Sequence, residues 1–581
     1  MSARKTRFVS SGSVRLAVHE WGESGRPTLL LVHGYPDSSR VWDATAALLC
    51  EHYHVVAYDV RGAGQSTAPE AVADYALDHL VADAAAVADA VSPDRPVHLV
   101  GHDWGSIQSW EAVTTETMRG RIASFTTISG PCLDHAGHWV RQRLRNGTPR
   151  EFSRVASQLL HSWYIGLFHL PFAAPKAWEM GLDRLWPSLL EKLDGVAPHI
   201  SETQREDGRH GIKLYRANVR KRLLEPGERR AEIPVQLIVP LRDRFVTPQL
   251  LDDLPQWAPA LWRSEVDAGH WLPLSHPQLL AERIGSFVDF VETGDEPPAL
   301  RRARVRGARR KHSGKLVVVT GAGSGIGRET VLAFAESGAD TIAVDIDRAA
   351  AERTAELAGL LDTYSVAYAL DVGDARAMEA LAAEIGEQYG AADVIVNNAG
   401  IGLSGGLMET SVKDWQQVLG VNLWGVIHGS RLFARQMIDQ GKAGHIINVA
   451  SAAAFMPSRV LPAYATSKSA VLMFSECLRA ELADHRIGVS AICPGIVNTA
   501  IAGNTRFVGV DEDEQSRRQE SAQKLYQRRA FTPDRVAAAI VRAVETNQAV
   551  VPVSPEAVGM QWLGRFTPSL ARNLAQVELS P

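Results

Sequence analysis

The alternation of short apolar runs with longer amphipathic segments begins twice in this chain, once near residue 28 and again after residue 314. That double start constrains the fold more than any other feature. Residues 28–32, 55–58, 97–100 and 235–239 read as buried strands, and residues 79–91 (HLVADAAAVADAV) as a helix between two of them. After residue 314 the series is 316–319, a Gly-rich turn, a helix, then 341–344, 394–396 and 445–449. Strand–helix alternation predicts a mostly parallel sheet covered by helices on both faces. Two such series in 581 residues are too much for one core, so the chain reads as two α/β domains.

Composition narrows the function classes. The chain is 45% apolar and 22% charged with a net charge of −5, which argues against global disorder and against a basic nucleic-acid footprint. Cys50, Cys132, Cys477 and Cys493 form no CxxC pair, so neither a metal site nor a disulfide framework is expected and a reducing compartment fits. The N-terminal stretch has no apolar core of a signal peptide, and no run of about 18 apolar residues reads as an integral membrane segment. A cytoplasmic protein is the expectation.

Two segments break the alternation. Residues 131–230, rich in Trp, His and Arg, read as a helical cap inserted over the strand ends, where ligands of such sheets bind. Residues 296–314 carry Arg301, Arg302, Arg304, Arg306, Arg309, Arg310 and Lys311. They read as an exposed basic linker between domains 1–295 and 315–581. Peripheral contact with anionic lipid is the alternative reading of that charge.

In the first half, the run 97–100 leads into Gly101-His102-Asp103-Trp104-Gly105. Small residues two positions either side of 103 suit a sharp strand-to-helix bend that exposes the middle side chain. A carboxylate there is ionised without a helper base and can attack an sp³ carbon to give an ester. Asp243 follows the run 235–239, and His270 lies in the DAGHW stretch after the last strand. Nucleophile, acid and base thus come in chain order, with His270 as general base and Asp243 orienting it. His33-Gly34-Tyr35-Pro36 follows another strand, so the backbone N–H groups of Tyr35 and Trp104 are candidates for an oxyanion hole.

These stretches, with Asp59-Val60-Arg61-Gly62-Ala63-Gly64-Gln65-Ser66, resemble the epoxide hydrolase branch of the α/β-hydrolase family over about the first 295 residues. The resemblance implies that two cap tyrosines hydrogen-bond the epoxide oxygen; Tyr164 and Tyr215 match those positions. Haloalkane dehalogenases share the Asp–Trp bend and are the rival. They hold a halide, usually with Trp and a second Trp or Asn, and Tyr35 stands where an Asn or Glu would be expected.

In the second half, Thr320-Gly321-Ala322-Gly323-Ser324-Gly325-Ile326-Gly327 follows a strand and opens a helix. Glycines there let a pyrophosphate sit at the helix N-terminus. Asp345 ends the next strand, where an acid bonds a ribose 2′-OH and repels a 2′-phosphate. NAD is therefore expected over NADP, with Arg348 nearby as the opposing signal. Tyr464 and Lys468 are four apart on a predicted helix, so they share a face, and the ammonium lowers the phenol pKa. Ser451, after the run 445–449, is placed to hold the same substrate oxygen.

This set resembles the short-chain dehydrogenase/reductase family over about residues 315–555. The resemblance implies cofactor contacts at Asp371, Val372, Asn398, Ala399, Gly400, Pro494, Gly495, Ile496 and Thr499, and a proton-relay role for Asn422. It also implies homo-oligomers through this domain. Together the two halves predict an α/β-hydrolase fold with a helical cap followed by a Rossmann-type doubly wound sheet, resembling bifunctional epoxide hydrolase/oxidoreductases. An epoxide opened to a vicinal diol is an alcohol the second site could oxidise, so two steps on one hydrophobic or lipid-like substrate are expected. The other reading makes one half an inactive scaffold.

Overall fold

The computed structural model describes residues 4–196, 201–529 and 531–576. The chain forms two compact units, one ending at Gly307 and one starting at Ala308.

The first unit is built on an eight-stranded sheet. Its strands are β1 (Lys5–Ser11), β2 (Val14–Trp21), β3 (Thr28–Val32), β4 (His54–Tyr58), β5 (Val97–His102), β6 (Ile122–Ile128), β7 (Val235–Pro240) and β8 (Leu261–Val266). Their order is β1-β2-β4-β3-β5-β6-β7-β8. From β4 onward the neighbours run parallel, whereas β1 and β2 pair antiparallel at one edge. That edge hairpin is absent from the expected strands: β1 is mostly exposed and carries Lys5 and Arg7, so it lacks the apolar run of an interior strand. By contrast β3 (TLLLV) is buried at every position, because helices cover both its faces.

Between β5 and the helix Trp104–Val113 the chain turns on Asp103, whose φ is 51° and ψ −120°. Few residues adopt such a backbone, and its cost is borne by the packing around the turn. A Cβ at Gly105 would lie 2.0 Å from the Val32 carbonyl oxygen, and one at Gly101 2.5 Å from Ser106 Cα. Gly105→Ala is therefore expected to destabilise this unit by about 3 kcal/mol, read as a lower thermal transition.

Between β6 and β7 the chain is helical: Leu133–Asn146, Pro149–His161, Trp163–His169, Ala173–Ala177, Trp178–Leu182, Asp183–Asp194 and Gln204–Leu224.

The second unit holds a seven-stranded parallel sheet. Its strands are β9 (Leu316–Thr320), β10 (Asp340–Asp345), β11 (Ser365–Ala369), β12 (Val394–Asn397), β14 (Gly444–Val449), β15 (Ile487–Cys493) and β17 (Val550–Pro552); β13 (Leu403–Ser404) and β16 (Arg506–Phe507) pair separately. The order β11-β10-β9-β12-β14-β15-β17 reverses direction at β9, which places a crevice beyond the C-terminal ends of β9 and β12.

The basic segment 296–314 is not an uninterrupted solvated linker. The helix Pro298–Ala303 buries Leu300 against Trp262 and Phe287 of the first unit, and Trp262 Nε1 donates to Glu296. Further on, Arg310 donates to the Leu361 carbonyl and Lys311 pairs with Glu545 in the second unit. Ala303 and Val305 pack there as well, and the Val305 N–H donates to the Leu261 carbonyl at 2.8 Å, so a few apolar residues among the arginines seat the segment.

Candidate active sites

At the bend in the first unit, three side chains meet. His270 Nδ1 lies 3.1 and 3.0 Å from the two Asp243 oxygens, and its Nε2 lies 3.8 Å from Asp103 Oδ1. Asp243 is fixed by the N–H groups of Phe245 and Val246, which donate to Oδ1 at 2.8 and 3.0 Å. The Tyr35 N–H donates to Asp103 Oδ2 at 2.8 Å, and the Trp104 N–H also donates to that carboxylate. Gly34 permits this approach, since a Cβ there would sit 2.5 Å from Asp103 Cβ.

Burial pushes the Asp103 carboxyl up, while His270 and the two N–H groups pull it back. Burial also opposes charge on His270, yet the carboxylates of Asp243, Asp103 and Asp194 outweigh it and set its pKa to about 9. Asp243 stays below its usual value: burial works against its charge, and His270 more than compensates.

Over this trio stand the cap tyrosines. The rings of Tyr164 and Tyr215 are edge to face at 5.9 Å, and Tyr215 packs on Trp104 at 4.8 Å. Burial, reinforced by the Asp103 charge, raises both phenols, so they keep their protons at neutral pH. Tyr35 also contributes its ring: its hydroxyl accepts from Trp178 Nε1 at 2.9 Å. The buried Trp104 indole N–H points toward the Tyr215 hydroxyl, and this donor pulls against the rise of that phenol's pKa.

Sequence reasoning missed the residues that brace the site. Asp37, directly after the HGYP stretch, accepts from Trp271 Nε1 at 3.0 Å; desolvation pushes its carboxyl up to about 7. Asp194 of the cap accepts the Trp271 N–H at 2.7 Å, and Gln204 of the cap donates to the Pro36 carbonyl at 2.8 Å. Phe245 packs edge on against His270 at 4.9 Å and against Tyr164 at 5.4 Å. Only the position of Asp37 beside a recognised motif could have flagged one of them.

In the second unit, β9 leads through the Gly-rich turn into the helix Gly325–Glu336. Gly321 and Gly325 have φ of 64° and 55°, and a Cβ at Gly327 would lie 2.0 Å from the Gly321 carbonyl oxygen. The result is a cradle of backbone at a helix N-terminus, with Ser324 at the cap position and Ile326 packed against the core beneath. Asp345 closes β10 with Oδ2 accepting the Gly323 N–H at 2.8 Å. Asn398 ties the cradle to the end of β12, its amide donating to the carbonyls of Thr320 and Gly321, while the N–H of Ala399 donates to Thr320 Oγ1.

The residues expected from the sequence to transfer a proton gather beyond β14. Lys468 is buried on the helix Pro462–Glu481, donates to the Val449 carbonyl at 2.9 Å, and lies 6.0 Å from the centre of the Tyr464 ring. Burial lowers its pKa to about 8. Asn422, in a π-helical turn, exchanges hydrogen bonds with both backbone groups of Ile401 and donates to Ser467. A Cβ on Gly400 would sit 3.3 Å from both Asn422 Oδ1 and Lys468 Nζ, so Gly400 lies between them. Ser451 follows β14 and accepts the Ala453 N–H at 3.2 Å. Asp371 accepts the Gly373 N–H, and Val372 packs against Gly425. After Pro494, Ile496 donates to Glu556, a Cβ on Gly495 would collide with Ser554, and Thr499 lies against Gly325. This donor set and cradle fit a nicotinamide dinucleotide.

Comparison with known proteins agrees with both halves. Residues 27–277 match the alpha/beta hydrolase fold family and residues 315–507 the short chain dehydrogenase family. The protein named "Probable oxidoreductase EphD" from Mycobacterium tuberculosis (strain ATCC 25618 / H37Rv) is 40% identical over 586 residues, covering 99% of each chain. "Putative oxidoreductase SadH" of the same strain is 34% identical over 265 residues, covering 45% of this chain and 94% of its own. A crystal structure of a short chain dehydrogenase/reductase from Burkholderia phymatum with NAD is 30% identical, with a TM-score of 0.42, over 45% of this chain and 96% of that one. The chain therefore belongs to the family of two-domain enzymes, an α/β-hydrolase fold followed by a short-chain dehydrogenase, that includes the mycobacterial EphD protein.

Proposed function

We propose that the first unit hydrolyses an epoxide to a vicinal diol through an ester on Asp103, and that the second interconverts a hydroxyl and a carbonyl group with NAD. The observation that carries the first half is a carboxylate at the bend, beside a histidine base and under two phenols that retain their protons.

In this reading the Asp103 carboxylate attacks an epoxide carbon, the C–O bond breaks, and a cap phenol gives its proton to the departing oxygen. Water then adds to the Asp103 carboxyl carbon as His270 takes its proton. The N–H groups of Tyr35 and Trp104 hold the resulting oxyanion, which collapses to release the diol and restore the carboxylate; solvent returns the proton from His270 to the phenol. Esterification removes the Asp103 charge, one of those holding His270 up, so the base releases its proton more readily at the step that needs it neutral.

In the second unit nicotinamide, when bound, accepts or donates hydride. Tyr464 exchanges a proton at the substrate oxygen, Lys468 lowers the phenol pKa, Ser451 holds that oxygen, and Asn422 anchors the backbone beside Lys468. Asp345 favours NAD because its carboxylate would face a 2′-phosphate.

One observation favours a second reading: the buried Trp104 indole N–H, next to the Asp103 bend, could leave the Tyr215 hydroxyl to hold a halide. The test is a panel of epoxides and haloalkanes, with diol and free halide both measured. Diol from epoxides is expected; halide release without diol makes the first unit a dehalogenase. Adding NAD or NADP to the diols checks the second unit and the link between the steps. NADH formation is expected, with Asp345→Ala lowering kcat/KM for NAD by about tenfold or more. No NADH from any diol the first unit makes would end the sequential scheme.

A further inference from the structure

We infer that the outer face of the cap docks on an anionic lipid bilayer. The chain from residue 159 to residue 172 leaves an apolar side chain in water at almost every turn. Leu159 and Leu160 end the helix Pro149–His161, Trp163 and Leu167 sit one turn apart on Trp163–His169, and Leu170 and Phe172 follow. Their exposures run from 38% for Leu167 to 79% for Phe172. A soluble surface seldom leaves so many large apolar groups together in one short stretch without a partner.

The short helix Trp163–His169 works on two sides. Tyr164 and Phe168 turn inward, packing edge to face against Tyr215 at 5.9 and 4.8 Å. Trp163 and Leu167 turn outward, 67% and 38% exposed. Only this one layer of chain separates the outer apolar stretch from the rings over Asp103.

Charge selects the partner. Residues 131–230 carry 17 Lys and Arg against 11 Asp and Glu, a surplus of six positive charges in a chain of net charge −5. Several of those acids are engaged within the unit: Glu151 with Arg143 and Arg154, Asp183 with Arg205, and Asp194 with the Trp271 N–H. Arg143, Arg209, Lys213, Arg222 and Arg229 are likewise paired, but between residues 150 and 192 the exposed cations Arg150, Lys176, Arg184 and Lys192 outnumber the exposed acids Glu179 and Glu191. Exposed apolar anchors beside a cationic surplus match the interfacial zone of a bilayer with anionic headgroups. The contact is peripheral, since no described helix is long and apolar enough to cross a membrane. Docking stands apart from the epoxide reading; only the corollary, that substrate enters the first site from the bilayer, rests on it.

The test is sedimentation of the full chain with vesicles of phosphatidylglycerol and phosphatidylcholine in equal parts, against phosphatidylcholine alone. Binding is expected to be about tenfold or more stronger with the anionic vesicles and to fall as salt rises. The double variant Leu160→Glu/Phe172→Glu should lose at least about tenfold in binding while keeping the parent's thermal transition. Should that variant fold poorly, Lys176→Ser/Arg184→Ser must weaken binding to anionic vesicles. The inference is overturned if neither vesicle brings the chain down, or if the variants bind as the parent does. It is equally overturned if the apolar variant halves the particle mass in solution, which would make the face a contact between copies.

Discussion

With His270 replaced by Gln, the hydrolase unit is expected to consume one equivalent of epoxide and stop. The intact protein should gain the mass of the epoxide, and turnover should fall by about 10³-fold or more. Asp103 and its two N–H donors remain, so the first bond still forms; what is lost is the group that takes the proton from water. Asp103→Asn should show neither turnover nor added mass. In the parent enzyme, hydrolysis of the ester, followed in a single turnover, should speed up as pH rises while His270 loses its proton. The midpoint should lie below the value of about 9 that holds in the free enzyme, because the ester no longer carries the Asp103 charge. Failure to trap an adduct with any epoxide that the parent converts would remove the ester from the scheme.

Tyr464→Phe is expected to abolish the second activity by about 10³-fold or more while leaving cofactor affinity, measured by calorimetry, within a few-fold of the parent. The ring keeps its place against Lys468, and only the proton donor disappears. Lys468→Met should differ in kind. The ammonium, buried and already lowered to about 8, both serves the phenol and hydrogen-bonds the Val449 carbonyl at the floor of the crevice. Its loss should therefore depress rate and cofactor affinity together. In either variant epoxide hydrolysis should be untouched, a control that separates a local defect from misfolding.

Much of the geometry of both candidate sites is legible in the sequence, because their residues sit where strands end. A bend such as GHDWG, or a Gly-rich turn between strand and helix, requires particular residues at particular offsets, so local sequence carries the geometry. Asp103, His270 and Asp243 meet as their chain order implies, and Tyr464 and Lys468 share a face as their spacing implies. What was not legible depends on contacts between distant segments. Asp194 and Gln204 look like ordinary polar residues on cap helices; only the fold brings them to Trp271 and Pro36. The β1–β2 hairpin escaped because an exposed edge strand shows no buried apolar run. How the basic segment packs was not legible either, since it depends on Leu300, Ala303 and Val305 meeting distant residues of the first unit.

The two hydrogen bonds from Asp194 and Gln204 also bear on how interchangeable the cap is. Each reaches a loop of the sheet next to a candidate site residue: one beside His270, the other beside Tyr35. A cap transplanted from a relative to change which molecules are admitted would need an acceptor at 194 and a donor at 204. Without them the graft would loosen the loops that hold Tyr35 and His270, so lid and sheet in this unit have to be exchanged as matched parts.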